Sequence, residues 1–379
     1  MRVAQIGFFM DPQDRPPEQL MRDWSTMVDI AECADRAGAD VTVVQASRHS
    51  RYLHRQGVNY HFMPFGADAK GEPDAGKLKQ LLHRIDPDVV HIHGLHFPAE
   101  VLSLSQSTAG APIILQDHAS RPPRFWRRPL WRRAFAAAAG VAFCSQEQAL
   151  PFARAQVMPP TTRVYEIPES SSRFTPGERQ EARRSLKVHG TPLVLWVGHL
   201  DANKDPLTVL DAVSQAARTL PHLQLYCCYG TAPLLGAVQR RISQDPGLDG
   251  RVHLLGAVPH ERIEQLMRAA DVFVLGSHRE GSGYALIEAL ACGLPPLVTD
   301  IASFRTLTGG GRIGALWPIG DAGQLSQHLV SSAAWPEILT REATRAHFER
   351  ELSFEAVGRK LARAYLDVMQ RTSRSPPLA

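Results

Sequence analysis

The segment SHREGSGYALIEALACG, residues 277–293, contains the pattern that decides the fold. The apolar run Val272–Leu275 before it is typical of a buried strand, and a helical pattern begins at about Tyr284. The loop Gly281–Gly283 contains two glycines, which let the backbone approach a ligand closely. The first amides of a helix lack intrahelical partners and attract a phosphate or diphosphate. The segment therefore predicts a strand–loop–helix unit that can bind an anionic group.

Two glutamates belong to this unit, Glu280 in the loop and Glu288 eight positions later in the helix. Glu288 lies about one turn inside the helix, so both carboxylates can face the same crevice. Carboxylates are poor ligands for phosphate but good acceptors for sugar hydroxyls, so a diphosphate flanked by two sugars would explain the glycines and the glutamates together. The alternative is an ordinary turn in which Glu280 caps the helix and Glu288 is solvated.

A second segment, LWVGHLDANKDP at residues 195–206, again places a glycine, Gly198, at the end of an apolar strand. Lys204 follows in the loop, shortly before a helical pattern that begins at Leu207. A lysine ammonium at that place can reach a phosphate as a point charge. A surface lysine near the start of a helix is common, so this segment alone also fits a structural turn.

Short apolar runs alternate with amphipathic stretches along the chain, which is typical of a parallel sheet covered by helices on both faces. We therefore predict an α/β fold with two doubly wound domains, whose crevice lies at the carboxyl ends of both sheets. The predicted strands are Val3–Phe9, Val41–Gln45, Tyr60–Met63, Val89–His93, Ile113–Gln116, Val141–Cys144, Val164–Ile167, Leu193–Val197, Leu223–Tyr229, Val252–Leu254, Val272–Leu275 and Leu297–Thr299. The predicted helices include Leu20–Ala37, Asp74–Ile85, Trp126–Ala138, Leu207–Leu220, Glu261–Ala269 and Tyr284–Ala291.

The alternation is interrupted once, at PESSSRFTPG, residues 168–177, which is polar, rich in turn residues and without periodicity. We predict a hinge there, between a domain of residues 1–167 and a domain of residues 178–353. An amphipathic helix is predicted over Phe354–Gln370, and it either caps its own domain or crosses back over the hinge. Its apolar side is predicted to comprise Val357, Leu361, Tyr365, Leu366 and Met369.

The histidines and cysteines give weaker signals. His118 follows the predicted strand Ile113–Gln116, and a lone histidine in a loop is more often structural or merely exposed. His91, His93 and His96 resemble metal ligands, but no carboxylate or cysteine stands at a completing spacing nearby, so we predict no metal site. The five cysteines form no CxxC pair and lie mostly in apolar stretches, so they are expected to fill core space.

Residues 121–135, RPPRFWRRPLWRRAF, contain six arginines interleaved with aromatic side chains, and no acidic residue occurs from His118 through Gln146. Such a mixture suits an anionic lipid surface or an acidic acceptor. The alternative is a solvated cationic face whose tryptophans pack inward. A net charge of only +4 and the lack of a nucleic-acid-reading motif argue against nucleic acid as a partner.

The composition is that of an ordinary globular protein, since 44% of the residues are hydrophobic and 21% are charged. No apolar run reaches the ~18 residues of a membrane-spanning helix, and the first residues resemble a strand rather than a signal peptide, so we expect a cytoplasmic protein. Walker, GxSxG and first-strand GxGxxG motifs are missing, which removes the usual support for an NTPase, a serine hydrolase or a dehydrogenase.

The second half of the chain resembles the retaining glycosyltransferases of family 4, which have the GT-B fold of two facing Rossmann-like domains. The resemblance rests on the E-x7-E element from Glu280 to Glu288 within REGSGYALIEALACGLPPLVT, on WVGHLDANKDP, and on GALWPIGD, which is similar to the family's closing strand. PESSSRFTP is similar to its linker, and DVVHIHGLH and PIILQDHAS are similar to its N-terminal strands. The resemblance is strong from Val194 to Asp321, and it implies that residues 354–379 cross back to the first domain.

This resemblance implies a catalytic set and a donor-binding set. The catalytic set is His118, Lys204 and Glu280. The nucleotide sugar would be bound by residues of the two loops and the helix that follows them: Gly198, His199, Lys204, Glu280, Gly281, Ser282, Gly283 and Glu288. Glu280 would contact hydroxyls of the transferred sugar and Glu288 the ribose, while Lys204 and the loop amides stabilise the diphosphate. His118 would lie against the donor sugar.

Two places depart from the family pattern. The family usually has arginine, a phosphate ligand, directly after the glycine of the second segment, and here His199 occupies that position. Histidine is neutral much of the time near pH 7 and has no fork of donors. The glycine-rich loop that often follows the first strand is also replaced, by Phe8–Pro12.

The implied function is transfer of a hexose from a nucleotide-diphosphate sugar to a hydroxyl with retention of configuration, in glycan or glycolipid biosynthesis and without a metal or cofactor. The acceptor would be a saccharide or a lipid-linked molecule, and Arg121–Arg133 would allow contact with the inner face of a membrane. One alternative is another GT-B enzyme, such as a nucleotide-sugar epimerase or a phosphorylase. The other is a catalytically weak or inactive scaffold that binds a sugar nucleotide or a partner enzyme, which His199 favours.

Overall fold

The computed structural model describes residues 1–65, 75–107 and 110–374, which form two α/β units. The first unit consists of Met1–Ser171 together with the chain from Phe354 onward, and the second consists of Ser172–Ser353. Asp74, the first residue of a predicted helix, and residues 375–379 of the predicted crossing segment lie outside the described residues.

The first unit is built on one eight-stranded sheet. Its strands are β1 (Arg2–Gly7), β2 (Asp40–Ala46), β3 (Arg51–Arg55), β4 (Val58–Met63), β5 (Val89–His93), β6 (Ile113–Gln116), β7 (Gly140–Phe143) and β8 (Arg163–Glu166). Its helices before the linker are α1 (Pro17–Asp23), α2 (Ser25–Arg36), α3 (Ala75–Ile85), α4 (Pro98–Ser105), α5 (Arg128–Ala137) and α6 (Leu150–Arg154). The strand order is β3-β4-β2-β1-β5-β6-β7-β8, and every neighbouring pair is parallel except β3 with β4. Because the order reverses between β1 and β5, the loops after these two strands flank a topological switch point.

The second unit is built on a six-stranded, wholly parallel sheet. Its strands are β9 (Leu193–Gly198), β10 (Gln224–Tyr229), β11 (Val252–Gly256), β12 (Val272–Leu275), β13 (Pro296–Thr299) and β14 (Ala315–Trp317). Its helices are α7 (Arg179–Leu186), α8 (Pro206–Ala216), α9 (Leu235–Ser243), α10 (His260–Ala269), α11 (Tyr284–Ala291), α12 (Ala302–Leu307), α13 (Ala322–Ser332) and α14 (Glu337–Glu351). The strand order is β11-β10-β9-β12-β13-β14, so this sheet reverses between β9 and β12.

The strands of the first unit are apolar on both faces because helices cover both sides of the sheet. Val89 and Val90 of β5 are fully buried but belong to different hydrophobic clusters, since neighbouring side chains of a strand point to opposite faces. Val90 packs in the cluster that contains Trp131 of α5, and Val89 packs in the cluster that contains Ile30 of α2. This arrangement confirms the predicted doubly wound α/β fold.

The last helix, α15 (Phe354–Arg374), packs against α2 of the first unit, so the predicted crossing back is confirmed. The two helices approach closely at Gly358, where a Cβ atom would lie 2.2 Å from the carbonyl oxygen of Cys33. The prediction for its apolar side was wrong at Leu366, which is exposed. Val368 is buried instead, because the side chains that face α2 and the sheet follow a spacing of three to four residues.

Two further predictions were wrong in detail. The predicted helix Leu20–Ala37 is two helices, because Trp24 between them has a non-helical backbone with φ −108° and ψ 60°. The edge strand β3, with the sequence RYLHR, was missed because it is largely exposed and carries no apolar run. It pairs antiparallel with β4 at the border of the sheet.

The polar segment predicted as a hinge contains buried polar side chains. Ser170 and Ser171 are fully buried, and the Ser170 hydroxyl donates to Asp29 Oδ2 at 2.9 Å. The boundary between the two units falls directly after Ser171. All five cysteines are free and buried, which confirms the expectation that they fill core space. Among the helices that the structure describes, none combines the length and apolarity that a membrane crossing requires.

Candidate functional site

The two segments that carried the sequence argument meet at the switch point of the second unit. The loop of residues 199–205 follows β9, and the loop of residues 276–283 follows β12, its neighbour in the sheet. Backbone and side-chain hydrogen bonds tie the loops together: His278 N donates to Asn203 O at 2.7 Å, and Asn203 Nδ2 donates to Arg279 O at 3.0 Å. The carboxyl end of a parallel sheet at its switch point is where such folds bind ligands.

Lys204 and Glu280 form an ion pair between these loops, through Lys204 Nζ and Glu280 Oε1. Both side chains are largely buried. The backbone of Lys204 is held as well, because its amide donates to Asp201 Oδ1 at 2.9 Å. The pair therefore places an amine and a carboxyl group together, the latter in the loop that leads into α11.

Gly283 ends this loop and directly precedes α11. Its φ of +63° is a left-handed conformation, and an added Cβ would lie 2.5 Å from Cε1 of Phe304. Only glycine fits both requirements, so the backbone conformation at the start of α11 depends on Gly283. The predicted strand–loop–helix unit is present, with β12 and α11 at the predicted boundaries.

Glu288 lies inside α11 and is not solvated. Its side chain is only 4% exposed, and its Oε1 contacts Nε2 of His260, the first residue of α10. Burial raises the pKa of the Glu288 carboxyl, and the bond to His260 acts in the opposite direction. Glu280 and Glu288 thus have different partners, Lys204 for the first and His260 for the second.

His199 follows β9 at the position where an arginine was expected. Its ring lies against Gly230, and its Nδ1 accepts a hydrogen bond from the Thr231 amide at 3.2 Å. Because Nδ1 is an acceptor, the proton of the neutral ring is on Nε2. His199 is exposed, so this Nε2–H group can donate to a ligand.

His118 lies in the first unit, just after β6, and both of its ring nitrogens have partners. Nδ1 is 2.6 Å from Glu169 Oε2, and Nε2 is 3.2 Å from Nδ1 of His93. Burial alone would lower the pKa of His118, but the Glu169 carboxylate outweighs it and the pKa is raised. The Glu169 carboxylate therefore stabilises the imidazolium form of His118 relative to a free histidine.

The HIHGLH segment places two of its histidine rings side by side in strand β5. His91 and His93 lie on one face of β5 with ring centroids 4.5 Å apart, and His91 Nδ1 is 2.8 Å from the hydroxyl of Tyr365 in α15. Burial lowers the pKa of His91 to about 3, so this ring is neutral. Within the described ranges, no group of three or more His, Cys, Asp and Glu side chains is arranged to hold a metal.

The arginine-rich segment divides its aromatic side chains between core and surface. Trp131 in α5 is 2% exposed and packs in the core, whereas Phe125 and Trp126 are 73% and 57% exposed and contact each other edge to face. The guanidinium of Arg124 lies 5.3 Å from the centroid of the Trp126 ring. The segment is therefore a cationic surface with an exposed aromatic pair, and of its two tryptophans only Trp131 faces inward as the alternative required.

The loop after β1, where glycines were missing, is held by an internal ion pair. Arg15 Nε donates to the buried Asp11 at 2.8 Å, and the amides of Gln13 and Arg15 also donate to that carboxylate. These bonds hold the pKa of Asp11 far below its usual range. The ion pair of Asp11 with Arg15, together with the two amide hydrogen bonds, thus fixes the conformation of this loop.

Sequence reasoning missed Glu169 and His260, which contact two of the predicted site residues. Glu169 lies in the polar linker PESSSRFTP, to which no site residue was assigned, and His260 lies at the start of a helix outside the quoted motifs. Their contacts span 51 and 28 positions of the chain, so no local pattern could have identified them.

Two family models match the chain. "Glycosyltransferase Family 4" matches residues 25–168, and "Glycosyl transferases group 1" matches residues 191–334, so together they span about three quarters of the sequence. The chain is 29% identical over 283 residues to the GDP-mannose:cellobiosyl-diphosphopolyprenol alpha-mannosyltransferase of Xanthomonas campestris, which is 72% of each protein. It is 32% identical over 151 residues to the D-inositol 3-phosphate glycosyltransferase of Nocardia farcinica, 38% of this chain and 34% of that relative.

Solved structures with the same fold include two with nearly complete overlap. Sucrose-phosphate synthase from Thermosynechococcus elongatus has a TM-score of 0.68 at 19% identity and covers 98% of this chain and 99% of its own. HepE from Anabaena, in complex with UDP, has a TM-score of 0.69 at 18% identity and covers 97% of this chain and 100% of its own. At these identities the likeness concerns the fold.

Proposed function

The chain belongs to glycosyltransferase family 4, and we propose that it transfers a hexosyl group from a nucleotide-diphosphate sugar to an acceptor hydroxyl with retention of the anomeric configuration. The observation that carries the proposal is the Lys204–Glu280 pair in front of α11. It offers a cation for a diphosphate and a carboxylate for sugar hydroxyls at the switch point of one sheet.

The chemical demand of the reaction is stabilisation of the leaving group. The bond between the anomeric carbon and the diphosphate breaks, a bond from the acceptor oxygen forms on the same face, and the acceptor proton passes to the departing phosphate. Lys204 and the amides at the start of α11 would stabilise the negative charge that develops. Because the protein supplies this positive charge, we expect turnover to persist in a chelator.

The acceptor side is proposed from the relatives. The Xanthomonas campestris relative is named for a saccharide on a diphosphopolyprenol, and the Nocardia farcinica relative for an inositol phosphate. We propose a saccharide or a lipid-linked saccharide as the acceptor. The role that the resemblance assigns to His118, contact with the donor sugar, stays a prediction.

The test is a panel of nucleotide sugars, screened by thermal stabilisation, because a ligand that binds the folded state raises the melting temperature. A stabilising donor is then incubated with candidate acceptors, and the products are analysed. Release of nucleoside diphosphate with a glycosylated product supports the proposal. An epimerised donor or a sugar phosphate would contradict it, and binding without turnover would favour the scaffold alternative that His199 suggested.

Glu288→Ala is expected to weaken nucleotide-sugar affinity by about 1–3 kcal/mol, the cost of losing charged hydrogen bonds to the ribose. Isothermal titration calorimetry with UDP and GDP, which contain the ribose but not the transferred hexose, measures this contribution directly. Unchanged affinity for both nucleotides would remove the ribose assignment. Because Glu288 is buried, the variant's melting temperature is measured alongside.

His199→Ala is expected to weaken nucleoside diphosphate binding by about 0.5–1.5 kcal/mol, since a neutral Nε2–H group contributes one hydrogen bond. His199→Arg should bind more tightly than the wild type, because the guanidinium adds charge and a second donor. The matched control is His222→Ala, an exposed histidine just before the opposite end of the neighbouring strand β10. Equal affinities for all four proteins would show that position 199 does not contact the phosphates.

The exposed pair Phe125 and Trp126, rimmed by arginines, is proposed to contact an anionic membrane surface where a lipid-linked acceptor would be presented. The protein should sediment with phosphatidylglycerol vesicles at low salt. In the double variant F125S/W126S the sedimented fraction should be severalfold lower. The control I338S/L339S removes another exposed apolar pair that lies in α14. No sedimentation with anionic vesicles at low salt would end the membrane proposal.

A further inference from the structure

The His260 imidazole lies between the Glu288 carboxylate and solvent. Its Nε2 contacts Glu288 Oε1, and the His260 side chain is 57% exposed while that of Glu288 is 4% exposed. The ring of Phe174 packs beside the imidazole with a centroid distance of 4.6 Å. His260 is therefore an exposed side chain in direct contact with a buried carboxylate. Phe174 limits the positions that the imidazole ring of His260 can take.

The charge of Glu288 depends on this contact. A buried carboxylate loses hydration, which favours the protonated form unless a donor compensates. The other acidic groups near the pair, Glu261 and Glu264, lie on α10 and raise the pKa of His260, and Glu264 also disfavours ionisation of Glu288. His260 is thus the group that favours the ionised form of Glu288, whereas burial and Glu264 raise the pKa of this carboxyl.

An ionised Glu288 with one oxygen engaged is suited to bind a diol. The contact with His260 uses Oε1 and fixes the orientation of the carboxylate. The second oxygen, Oε2, takes no part in that contact and can accept hydrogen bonds from vicinal ribose hydroxyls. A protonated carboxyl group would accept these bonds more weakly, because charge-assisted hydrogen bonds are about twice as strong as neutral ones.

We propose that His260 is a positioning residue of the nucleotide site, which donates to Glu288 Oε1 so that the carboxylate stays charged and oriented toward the ribose. This inference rests on the proposed function, in which Glu288 binds the ribose. The opposite possibility is that His260 covers Glu288 and must be displaced by the nucleotide. The two models predict opposite changes when the imidazole is removed, so one set of variants separates them.

The experiment compares the wild type, His260→Ala, His260→Gln and the control His222→Ala as full-length proteins. Affinities for UDP and GDP are measured by calorimetry at about pH 8 and about pH 6. His260→Ala is expected to bind roughly tenfold more weakly at pH 8, the cost of one hydrogen bond to a charged group, and weaker still at pH 6. The sign follows from Glu288: without the donor its raised pKa is unopposed, so it takes up a proton as the pH falls.

His260→Gln retains an N–H donor but cannot become charged. It should restore most of the affinity at pH 8 and stay sensitive to acid, a pattern that loss of folding does not produce. Carbon-13 NMR of the Glu288 carboxyl in the ligand-free proteins gives a second readout, and its pKa should be higher in both His260 variants than in the wild type.

The outcomes separate the two levels of the proposal. If the wild type binds nucleotide and His260→Ala binds it as tightly or more tightly at both pH values, the positioning role is overturned. An unchanged Glu288 titration in folded His260→Ala overturns it as well. If the wild type binds neither nucleotide, or Glu288→Ala binds as well as the wild type, the ribose assignment itself fails and the role of His260 fails with it.

Discussion

Replacement of Lys204 by alanine is expected to lower the kcat of donor turnover by a factor of about 10²–10³, the effect of removing one preorganised donor from a developing negative charge. Lys204 is held in place by the hydrogen bond that its backbone amide donates to Asp201 and by its ion pair with Glu280, so it requires little reorganisation during the reaction. The loss should appear mainly in kcat, because the negative charge on the leaving diphosphate is greater in the transition state than in the bound donor.

The measurement is release of nucleoside diphosphate under saturating donor, with the stabilising nucleotide sugar from the thermal screen. Lys187→Ala is the control, because it removes an exposed lysine of the same unit just after α7. A Lys204→Ala protein with wild-type kcat would exclude Lys204 from leaving-group stabilisation. Lys204→Arg retains the charge but not the geometry, so an intermediate rate is expected.

Glu280→Gln is expected to lower kcat/KM for the nucleotide sugar by a factor of roughly 10–100, because charged hydrogen bonds to the sugar hydroxyls are lost. The affinity for UDP or GDP alone should be unchanged or higher, because neither nucleotide contains the transferred hexose. In this variant Lys204 also no longer pairs with a carboxylate. A parallel loss of UDP affinity would show instead that Glu280 acts on the nucleotide.

The double variant K204A/E280Q tests whether the two side chains act as a unit. They form one ion pair, so their effects are expected to be less than additive, with a coupling energy of about 0.5–3 kcal/mol. Independent effects on kcat/KM would mean that the pair seen in the ligand-free protein has no role in the loaded site.

The local pattern of apolar residues was sufficient to predict the fold class and most of the buried strands. Strands β5, β6 and β12 have the predicted bounds, because a strand buried on both faces is a continuous apolar run. The same holds for α11 and the loop before it, where Gly283 is required by its own backbone conformation. Family membership followed from motifs of this local kind, and the family models confirm it.

Other features depend on contacts between distant parts of the chain. The exposed edge strand β3 lacks an apolar run, and the outward position of Leu366 depends on where α15 meets its neighbours. Trp126 and Trp131 lie five positions apart in one arginine-rich segment, yet one is at the surface and the other is in the core.

The partners of the charged groups were also decided only by the tertiary structure. The spacing of Glu280 and Glu288 suggested two carboxylates that can face one crevice, but it did not indicate that one pairs with Lys204 and the other with His260. The physical reason is that these contacts join residues far apart in the sequence. Periodicity reports which face of an element is apolar, but the charge and orientation of a buried carboxylate are set by groups that only folding brings within hydrogen-bond distance.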